Sequence, residues 1–204
     1  MHIELTEMLR CVKPHEENFL VMSTGEMRGR LVRTGVLGCP VCHAEYPILK
    51  GLVDFTGHGR RETAPGARSQ SPIPVSRLPL PDVQALLDLS GPGGYIVLVG
   101  SAARYGAGLS DLMAGVHFVG VNPPEGVEEL STLSLVRSVA VIPVRQAIAR
   151  GVVVGADSVK EPWTGEAVRV LLRGRRYVQE GGTSGPAGVT QLAASENAWV
   201  GEKQ

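Results

Sequence analysis

The segments L-R-C-V-K-P-H (residues 9–15) and C-P-V-C-H (residues 39–43) contain all three cysteines of the chain. Two thiolates spaced as C-x2-C on a tight turn can occupy two corners of a zinc tetrahedron. Two further ligands from a distant loop would complete the site, and zinc accepts thiolate and imidazole there. The sequence therefore predicts a structural zinc site with these ligands: Cys11, His15, Cys39 and Cys42.

The fourth ligand has alternatives to His15. That histidine stands beside Glu16 and Glu17, as a surface histidine would, and His43 or Asp54 would then complete the site. The C-x2-C pair also has an alternative role as a redox dithiol. A thioredoxin-like motif follows a strand and opens a helix, whereas the strand-like sequence Y-P-I-L follows here. This difference favours the metal site.

The residues around these cysteines predict a small module that depends on its metal. Residues 3–10 have helical spacing of apolar side chains, residues 19–23 and 31–37 read as strands, and residues 46–55 return as a strand that turns at Lys50-Gly51. Such elements around one metal form a zinc ribbon. Because bulky side chains are few, we expect the module to need the metal to fold. Replacing Cys39 by Ser should then unfold residues 1–55 and spare the sheet that follows.

This part of the chain resembles a known family. The segments that carry the resemblance are L-T-E-M-L-R-C at residues 5–11 and G-V-L-G-C-P-V-C-H-A-E-Y-P-I-L-K-G-L-V-D-F at residues 35–55. They are similar to the small zinc ribbons whose stand-alone members activate tRNA, ribosomal-RNA and protein methyltransferases, with the pattern C-P-x-C…C-P-x-C-x3-Y-P-I-x-x-G. Cys11, Cys39 and Cys42 match cysteines of that pattern, while Pro14 stands in place of the remaining one, next to His15. The resemblance implies a protein partner, with a methyltransferase among the candidates.

Charge and hydropathy argue against several functional classes. The 20 basic and 20 acidic residues balance, so charge gives no indication of nucleic acid or of an anionic membrane as a partner. The apolar runs are far shorter than the ~20 residues that span a bilayer. The sequence M-H-I-E-L-T-E-M-L-R lacks the basic start and apolar core of a signal peptide. Cysteines spaced for metal binding also fit a reducing compartment, so we expect a soluble, cytoplasmic protein.

A stretch rich in glycine, proline, serine and arginine, residues 57–79, predicts an exposed linker. Beyond it, strand-like segments at 95–99, 117–121, 135–142, 152–156, 177–179 and 189–200 are interspersed with helical segments, notably 82–89 and 164–173. This alternation predicts an α/β fold with a Rossmann-like parallel sheet covered by helices on both faces. The expected domains are a zinc ribbon at 1–56, a flexible linker at 57–79 and a Rossmann-like domain at 80–204.

Two segments of the second part, V-V-V-G-A-D-S at 152–158 and E-P-W-T-G-E-A-V-R-V-L-L-R-G-R-R-Y-V-Q-E at 161–180, carry a further resemblance. They are similar to the fourth strand, the helix after it and the turn into the fifth strand of class I S-adenosylmethionine-dependent methyltransferases. The resemblance covers residues 80–180. It implies S-adenosylmethionine as a cofactor, held by these residues: Gly100, Ser101, Asn122 and Asp157.

The chain departs from that family where the cofactor should bind. The family's first strand ends in D-x-G-x-G-x-G; here Leu98 stands in place of the acid, Gly100 is the first glycine, and Ala102 and Arg104 replace the other two. A methyl and a guanidinium group there would crowd a bound nucleoside. Asn122 replaces the carboxylate that should accept both ribose hydroxyls.

These departures favour a non-catalytic protein, namely a zinc-binding interaction or scaffold protein with a degenerate methyltransferase-like domain. No paired carboxylates and no nucleophile beside a base stand out, so we predict no catalytic residue. The alternative is an S-adenosylmethionine-dependent methyltransferase that carries its own activator-like zinc ribbon. A third interpretation is a Rossmann-like domain that binds another small ligand at the carboxyl ends of its strands.

Overall fold

The computed structural model describes residues 1–57 and 78–204. Apart from its ends, the predicted linker at 57–79 lies outside the described residues. In the described parts, no helix is long and apolar enough to cross a membrane.

The strands in the first described range are β1 (Val21–Thr24), β2 (Met27–Arg28), β3 (Leu31–Val32), β4 (Thr34–Gly38), β5 (Glu45–Leu49) and β6 (Leu52–Asp54). Those in the second are β7 (Tyr95–Val99), β8 (His117–Val121), β9 (Leu133–Arg137), β10 (Ala149–Val154), β11 (Leu171–Glu180), β12 (Val189–Ala194) and β13 (Ala198–Lys203). The α-helices are α1 (Leu80–Leu87), α2 (Gly106–Leu112) and α3 (Trp163–Val170). Short 3-10 helices cover Ile3–Met8, Gly100–Tyr105 and Ala156–Ser158.

Eleven of these strands form one sheet in the order β1-β4-β5-β6-β9-β8-β7-β10-β11-β13-β12. The strands from β6 through β11 in that order are parallel to their neighbours, and antiparallel pairs extend the sheet at both ends. The chain places β8 and β9 on one side of β7, and then β10 and β11 on the other. The order therefore reverses between β7 and β10, as in doubly wound sheets.

The strands of the N-terminal part continue directly into the parallel sheet. Strand β6 pairs with β9 in parallel, with Leu52 opposite Leu135 and Val53 opposite Val136. The Phe55 backbone N–H extends the pairing by donating to the Arg137 carbonyl over 2.8 Å. The sequence left open whether the two parts of the chain touch, and these hydrogen bonds join them in one sheet.

The two faces of the parallel sheet bury different sets of side chains. Because side chains alternate along a strand, Ile96 and Leu98 of β7 lie on one face with the apolar sides of α1 and α2. Val97 and Val99 lie on the other face, in the same apolar cluster as residues of α3 and of the N-terminal segment. The fold is thus α/β with a Rossmann-like sheet that carries helices on both faces, which confirms the predicted fold class.

The N-terminal segment provides much of the cover on the second face. Leu5 and Leu9 are almost fully buried there. The backbone N–H of Arg10 donates to the Pro143 carbonyl over 3.1 Å, and the Arg145 N–H donates to the Met8 carbonyl over 2.9 Å. Residues 1–10 therefore share a core with the parallel strands. This arrangement replaces the expectation that residues 1–55 would unfold alone: the two parts should unfold together.

The local predictions hold best where the sequence pattern is strongest. Strands β7 and β8 have the predicted bounds. The helix expected at 164–173 is α3, Trp163–Val170, and the strand expected at 177–179 is the longer β11, which begins at Leu171, within the predicted helix. The helix expected at 3–10 is a 3-10 helix, Ile3–Met8. The strand expected at 135–142 is instead β9, Leu133–Arg137, because its pairing with β8 begins at Leu133 opposite Phe118.

We expect Leu9→Ala to lower the free energy of unfolding of the whole chain by about 2–5 kcal/mol, because it empties a fully buried position between the N-terminal segment and the sheet. Denaturant unfolding followed by the fluorescence of Trp163 and Trp199, which both pack in the same cluster, measures this. Leu49→Ala is the control, because Leu49 is 61% exposed and its loss should cost no more than about 0.5 kcal/mol. A Leu9→Ala variant whose unfolding transition, followed by tryptophan fluorescence, is unchanged would contradict the shared core.

Candidate metal centre and the cleft of the parallel sheet

The structure brings together the four residues predicted as metal ligands. One ligand atom from each of Cys11, His15, Cys39 and Cys42 lies within 4.8 Å of all the others. The Cys11 and Cys42 sulfurs are 3.6 Å apart, and the Cys39 sulfur is 3.3 Å from His15 Nε2. Three thiols and one imidazole converging at such distances form a donor set that can hold a metal ion in tetrahedral coordination.

A tight turn between β4 and β5 presents the C-x2-C pair. The Cys39 N–H donates to the Ala44 carbonyl over 2.9 Å, and the His43 N–H donates to the Cys39 carbonyl over 3.0 Å. His43 adopts a φ of +55°, the left-handed conformation that closes the turn. The turn therefore fixes the first half of the donor set through backbone hydrogen bonds alone.

His15 supplies the imidazole of the cluster. Its Nε2 faces Cys39, while its Nδ1 lies 2.7 Å from the Glu16 carbonyl. An imidazole that donates from Nδ1 to a carbonyl presents the lone pair of Nε2, as metal-binding histidines do. The two alternatives lie elsewhere: His43 is exposed on the turn, and Asp54 accepts a hydrogen bond from the Thr56 N–H.

The surroundings of Cys39 and Cys11 shift the pKa values of their thiols in opposite directions. Burial opposes ionisation of Cys39, but the N–H groups of Cys42 and Val41 donate to its sulfur and the net effect lowers its pKa to about 7. Burial raises the pKa of Cys11, although hydrogen bonds from Tyr46 and from the Lys13 N–H act in the opposite direction. A thiolate is therefore available near neutral pH to begin metal binding, which would then displace the remaining protons.

The residues predicted to hold a nucleotide cofactor lie at the point where the strand order reverses. Gly100 and Ser101 follow β7, and Asp157 follows β10. The Asp157 carboxylate accepts a hydrogen bond from the Ser101 N–H over 2.9 Å and another from the Ser101 hydroxyl over 2.8 Å. The structure thus brings these three residues together, but their polar groups bind one another.

The two loops at this point are in close contact. Gly100 has a φ of +63°, and a Cβ atom added to it would lie 2.1 Å from Ser158 Oγ and 2.5 Å from Asp157 Oδ1. A Cβ on Gly155 would lie 2.1 Å from Ser101 Oγ and 2.6 Å from the Ala102 nitrogen. Glycines here let the loops approach each other, whereas glycines in a cofactor loop make room for the ligand.

Glu180 adds hydrogen bonds to the contact between the loops that follow β7 and β10, and the sequence did not predict this role. It ends β11, is 6% exposed, and accepts hydrogen bonds from the Tyr105 hydroxyl and, over 3.2 Å, from the Ala156 N–H. The Ser101 hydroxyl lies 3.5 Å from its carboxylate. Its position could have indicated this role, because Glu180 is a carboxylate at the carboxyl end of β11, the strand next to β10, and the strand order reverses at β10. The two glycines that follow it, Gly181 and Gly182, instead indicate a loop at this point of the sequence.

Asn122 is used in a different contact. It follows β8 with a φ of +51°, and its side-chain oxygen accepts a hydrogen bond from the Ser138 N–H over 2.9 Å. This bond ties the end of β8 to the end of β9. The oxygen that would accept a ribose hydroxyl therefore already accepts one hydrogen bond from the protein.

The crevice at the carboxyl ends of β7 and β10 is where ligands bind in sheets of this kind. Here Asp157 Oδ1 and the Glu180 carboxylate accept hydrogen bonds from groups of the protein itself. Ala102, which stands at the second glycine position of the family motif, is fully buried, while Arg104, at the third, is exposed. These residues do not fit S-adenosylmethionine.

No family model and no curated protein matches the chain. Among solved structures, an S-adenosylmethionine-dependent methyltransferase from Aquifex aeolicus is 13% identical over 65% of this chain and 93% of its own, with a TM-score of 0.47. The antibiotic-resistance methyltransferase Kmr is 12% identical over 62% of this chain and 93% of its own, with a TM-score of 0.45. A chain in the complex between the Haloferax volcanii Trm112 methyltransferase activator and a putative methyltransferase is 16% identical over 49% of this chain and 50% of its own, with a TM-score of 0.39. Likeness of this degree concerns the fold alone.

We expect the purified chain to bind one Zn²⁺, and Cys39→Ser to lose it and to lower the melting temperature of the whole chain, since the parts share a core. Metal analysis and calorimetric melting measure the two effects. His43→Asn is the matched control, because asparagine tolerates the left-handed backbone of the turn. Its zinc content should equal that of the unmodified chain. Loss of zinc from His43→Asn, but not from His15→Ala, would contradict the ligand assignment.

We expect Gly100→Ala to destabilise the chain more than Gly91→Ala does, by about 1–3 kcal/mol. Both glycines have positive φ, but a Cβ on Gly91 has no atom within 4 Å, whereas one on Gly100 would strike Asp157 and Ser158. The difference between the unfolding free energies of the two variants cancels much of the backbone strain that both alanines introduce. What remains is the cost of placing a methyl group against Asp157 and Ser158. Equal destabilisation of the two variants in denaturant unfolding would show that the loops can separate freely.

Proposed function

We propose that this chain is a zinc-binding interaction or scaffold protein whose methyltransferase-like domain is non-catalytic. The observation that carries the proposal is the pair of hydrogen bonds from Ser101 to the Asp157 carboxylate, at the point of the sheet where a ligand would bind.

The energetics of the crevice support this proposal. A nucleotide at this point would have to displace the Asp157 carboxylate from the Ser101 N–H and hydroxyl. Hydrogen bonds to charged groups contribute about 1.5–3 kcal/mol each, and a carboxylate left unpaired in a buried site costs more. The contacts of Glu180 with Tyr105 and Ala156 would resist the same movement. Ligand binding therefore competes with several interactions that stabilise the fold.

The donor set supports a structural role for zinc. Three thiolates and one imidazole complete the tetrahedral coordination of Zn²⁺ and leave no open position for water or substrate. The Lewis-acid chemistry of zinc needs such a position. The proposed ion would instead link Cys11, which follows the buried N-terminal segment, to Cys39 and Cys42 on the turn between β4 and β5.

An exposed face of the N-terminal strands supports a protein partner. Cross-strand pairs lie on the same face, and the register places a stripe of partly or largely exposed apolar side chains on one side of β1, β4, β5 and β6. Val21 is 64% exposed and Leu49 is 61% exposed. The members of the stripe are Val21, Val36, Pro47, Leu49 and Leu52. Contiguous exposed apolar surface marks interaction sites, and a cytoplasmic protein, such as a methyltransferase, is the partner we propose.

The second candidate is an S-adenosylmethionine-dependent methyltransferase with its own activator-like ribbon. It is favoured by the parallel pairing of β6 with β9, which places the ribbon on the same sheet as the cleft. It is also favoured by the reversal of strand order between β7 and β10, which such enzymes use to bind ligands. It requires the contacts between Ser101 and Asp157 to open.

We expect no binding heat when the zinc-loaded chain is titrated with S-adenosylmethionine or S-adenosylhomocysteine, and no rise in melting temperature with either. The physical reason is the occupied crevice. Asp157→Ala is the informative companion, since it removes the carboxylate that the ligand would have to displace. Binding by the unmodified chain at micromolar concentrations would overturn the non-catalytic proposal and direct attention to methyl acceptors.

A further inference from the structure

We propose that the Tyr46 hydroxyl donates a hydrogen bond to the Cys11 thiolate and is a positioning residue of the metal centre. The inference rests on the proposed zinc site. Tyr46 lies in a predicted strand and is not among the predicted metal ligands.

The Tyr46 hydroxyl and the Cys11 sulfur lie within hydrogen-bonding distance. The Tyr46 oxygen lies 2.9 Å from the Cys11 sulfur. The Val12 N–H donates to the same oxygen over 3.4 Å. When Cys11 binds a metal it does so as a thiolate, which has no proton to donate, so the Tyr46 hydroxyl is then the donor to the sulfur. Tyr46 is 1% exposed, so water does not compete for the bond.

The packing of the ring holds the hydroxyl in this place. The rings of Tyr46 and Phe55 lie with centroids 4.5 Å apart. Strand β5 pairs Tyr46 with Leu37 of β4, on the buried face of the sheet. The hydroxyl is therefore carried by a rigid element that begins just after the C-x2-C turn. It reaches across to Cys11, which arrives from the N-terminal segment, and so aligns the two halves of the donor set.

The charge of the centre gives this bond its effect. Three thiolates and a neutral imidazole around Zn²⁺ leave one net negative charge, which hydrogen-bond donors to sulfur stabilise. Cys39 receives its donors from the backbone of the turn, at Val41 and Cys42. Cys11 receives the Lys13 N–H, 3.4 Å away, and the Tyr46 hydroxyl. Removing the hydroxyl should weaken zinc binding and make Cys11 more reactive.

The test compares Tyr46→Phe with Tyr177→Phe in the full chain. Tyr177 is a matched control: it is fully buried in the same apolar cluster, and its hydroxyl contacts Gln179 over 3.2 Å. Zinc affinity is measured by competition with a chromophoric chelator, and the sulfur-to-metal absorption band is measured after Co²⁺ substitution. We expect Tyr46→Phe to weaken zinc affinity about 10-fold and to shift the band. We expect Tyr177→Phe to leave both unchanged.

The outcomes separate this inference from the proposed function. If the unmodified chain binds neither Zn²⁺ nor Co²⁺, the proposed metal site is wrong. If it binds them and Tyr46→Phe matches Tyr177→Phe in affinity and absorption, the site stands and the role of Tyr46 is overturned. Should Tyr46→Phe fail to fold, NMR of the unmodified, cadmium-loaded chain decides the question. A Tyr46 hydroxyl proton coupled to the cadmium nucleus supports the bond, and a resolved hydroxyl proton without that coupling contradicts it.

Discussion

The parallel pairing of β6 with β9 is the contact on which the arrangement of this protein depends. It brings Val53 beside Val136 and so extends one apolar face from the N-terminal strands into the parallel sheet. The face must be covered, and the segment that leads to Cys11 covers it with Leu5 and Leu9. The ribbon is therefore part of the same core as the Rossmann-like strands, although its sequence has the motifs of a separate module.

The proposed metal centre would gain a second role from this arrangement. A zinc ribbon alone uses its ion to hold together a module with a small core. Here Cys11 follows Leu9 by two residues, so an ion that fixes Cys11 against the turn also fixes the cover of the parallel sheet. Tyr46 contributes to the same link, because its ring lies in the core and its hydroxyl reaches the ligand. Metal binding at the proposed site would therefore be coupled to folding of the sheet through these side chains.

In the cleft of the parallel sheet, polar groups of the protein contact one another at the point where the strand order reverses. The reversal between β7 and β10 leaves a crevice that must be filled by a ligand, by water or by the protein. In this chain Asp157 and Glu180 enter it and bind Ser101, Tyr105 and the backbone of Ala156. Glycines at 100 and 155 permit the close approach of the loops. Of these residues Glu180 and Tyr105 are buried, and their hydrogen bond satisfies the buried carboxylate.

The sequence by itself determined the features that depend on local chemistry and on period. The apolar runs of β7 and β8 predicted those strands within their observed bounds, and the donor types at Cys11, His15, Cys39 and Cys42 predicted a cluster that the fold brings together. Only the tertiary structure decided which groups face each other across distant parts of the chain. The pairing of β6 with β9, the entry of Glu180 into the crevice and the contact of Tyr46 with Cys11 each join residues far apart in sequence. No spacing encodes such contacts, because they follow from sheet register and from the packing of whole faces.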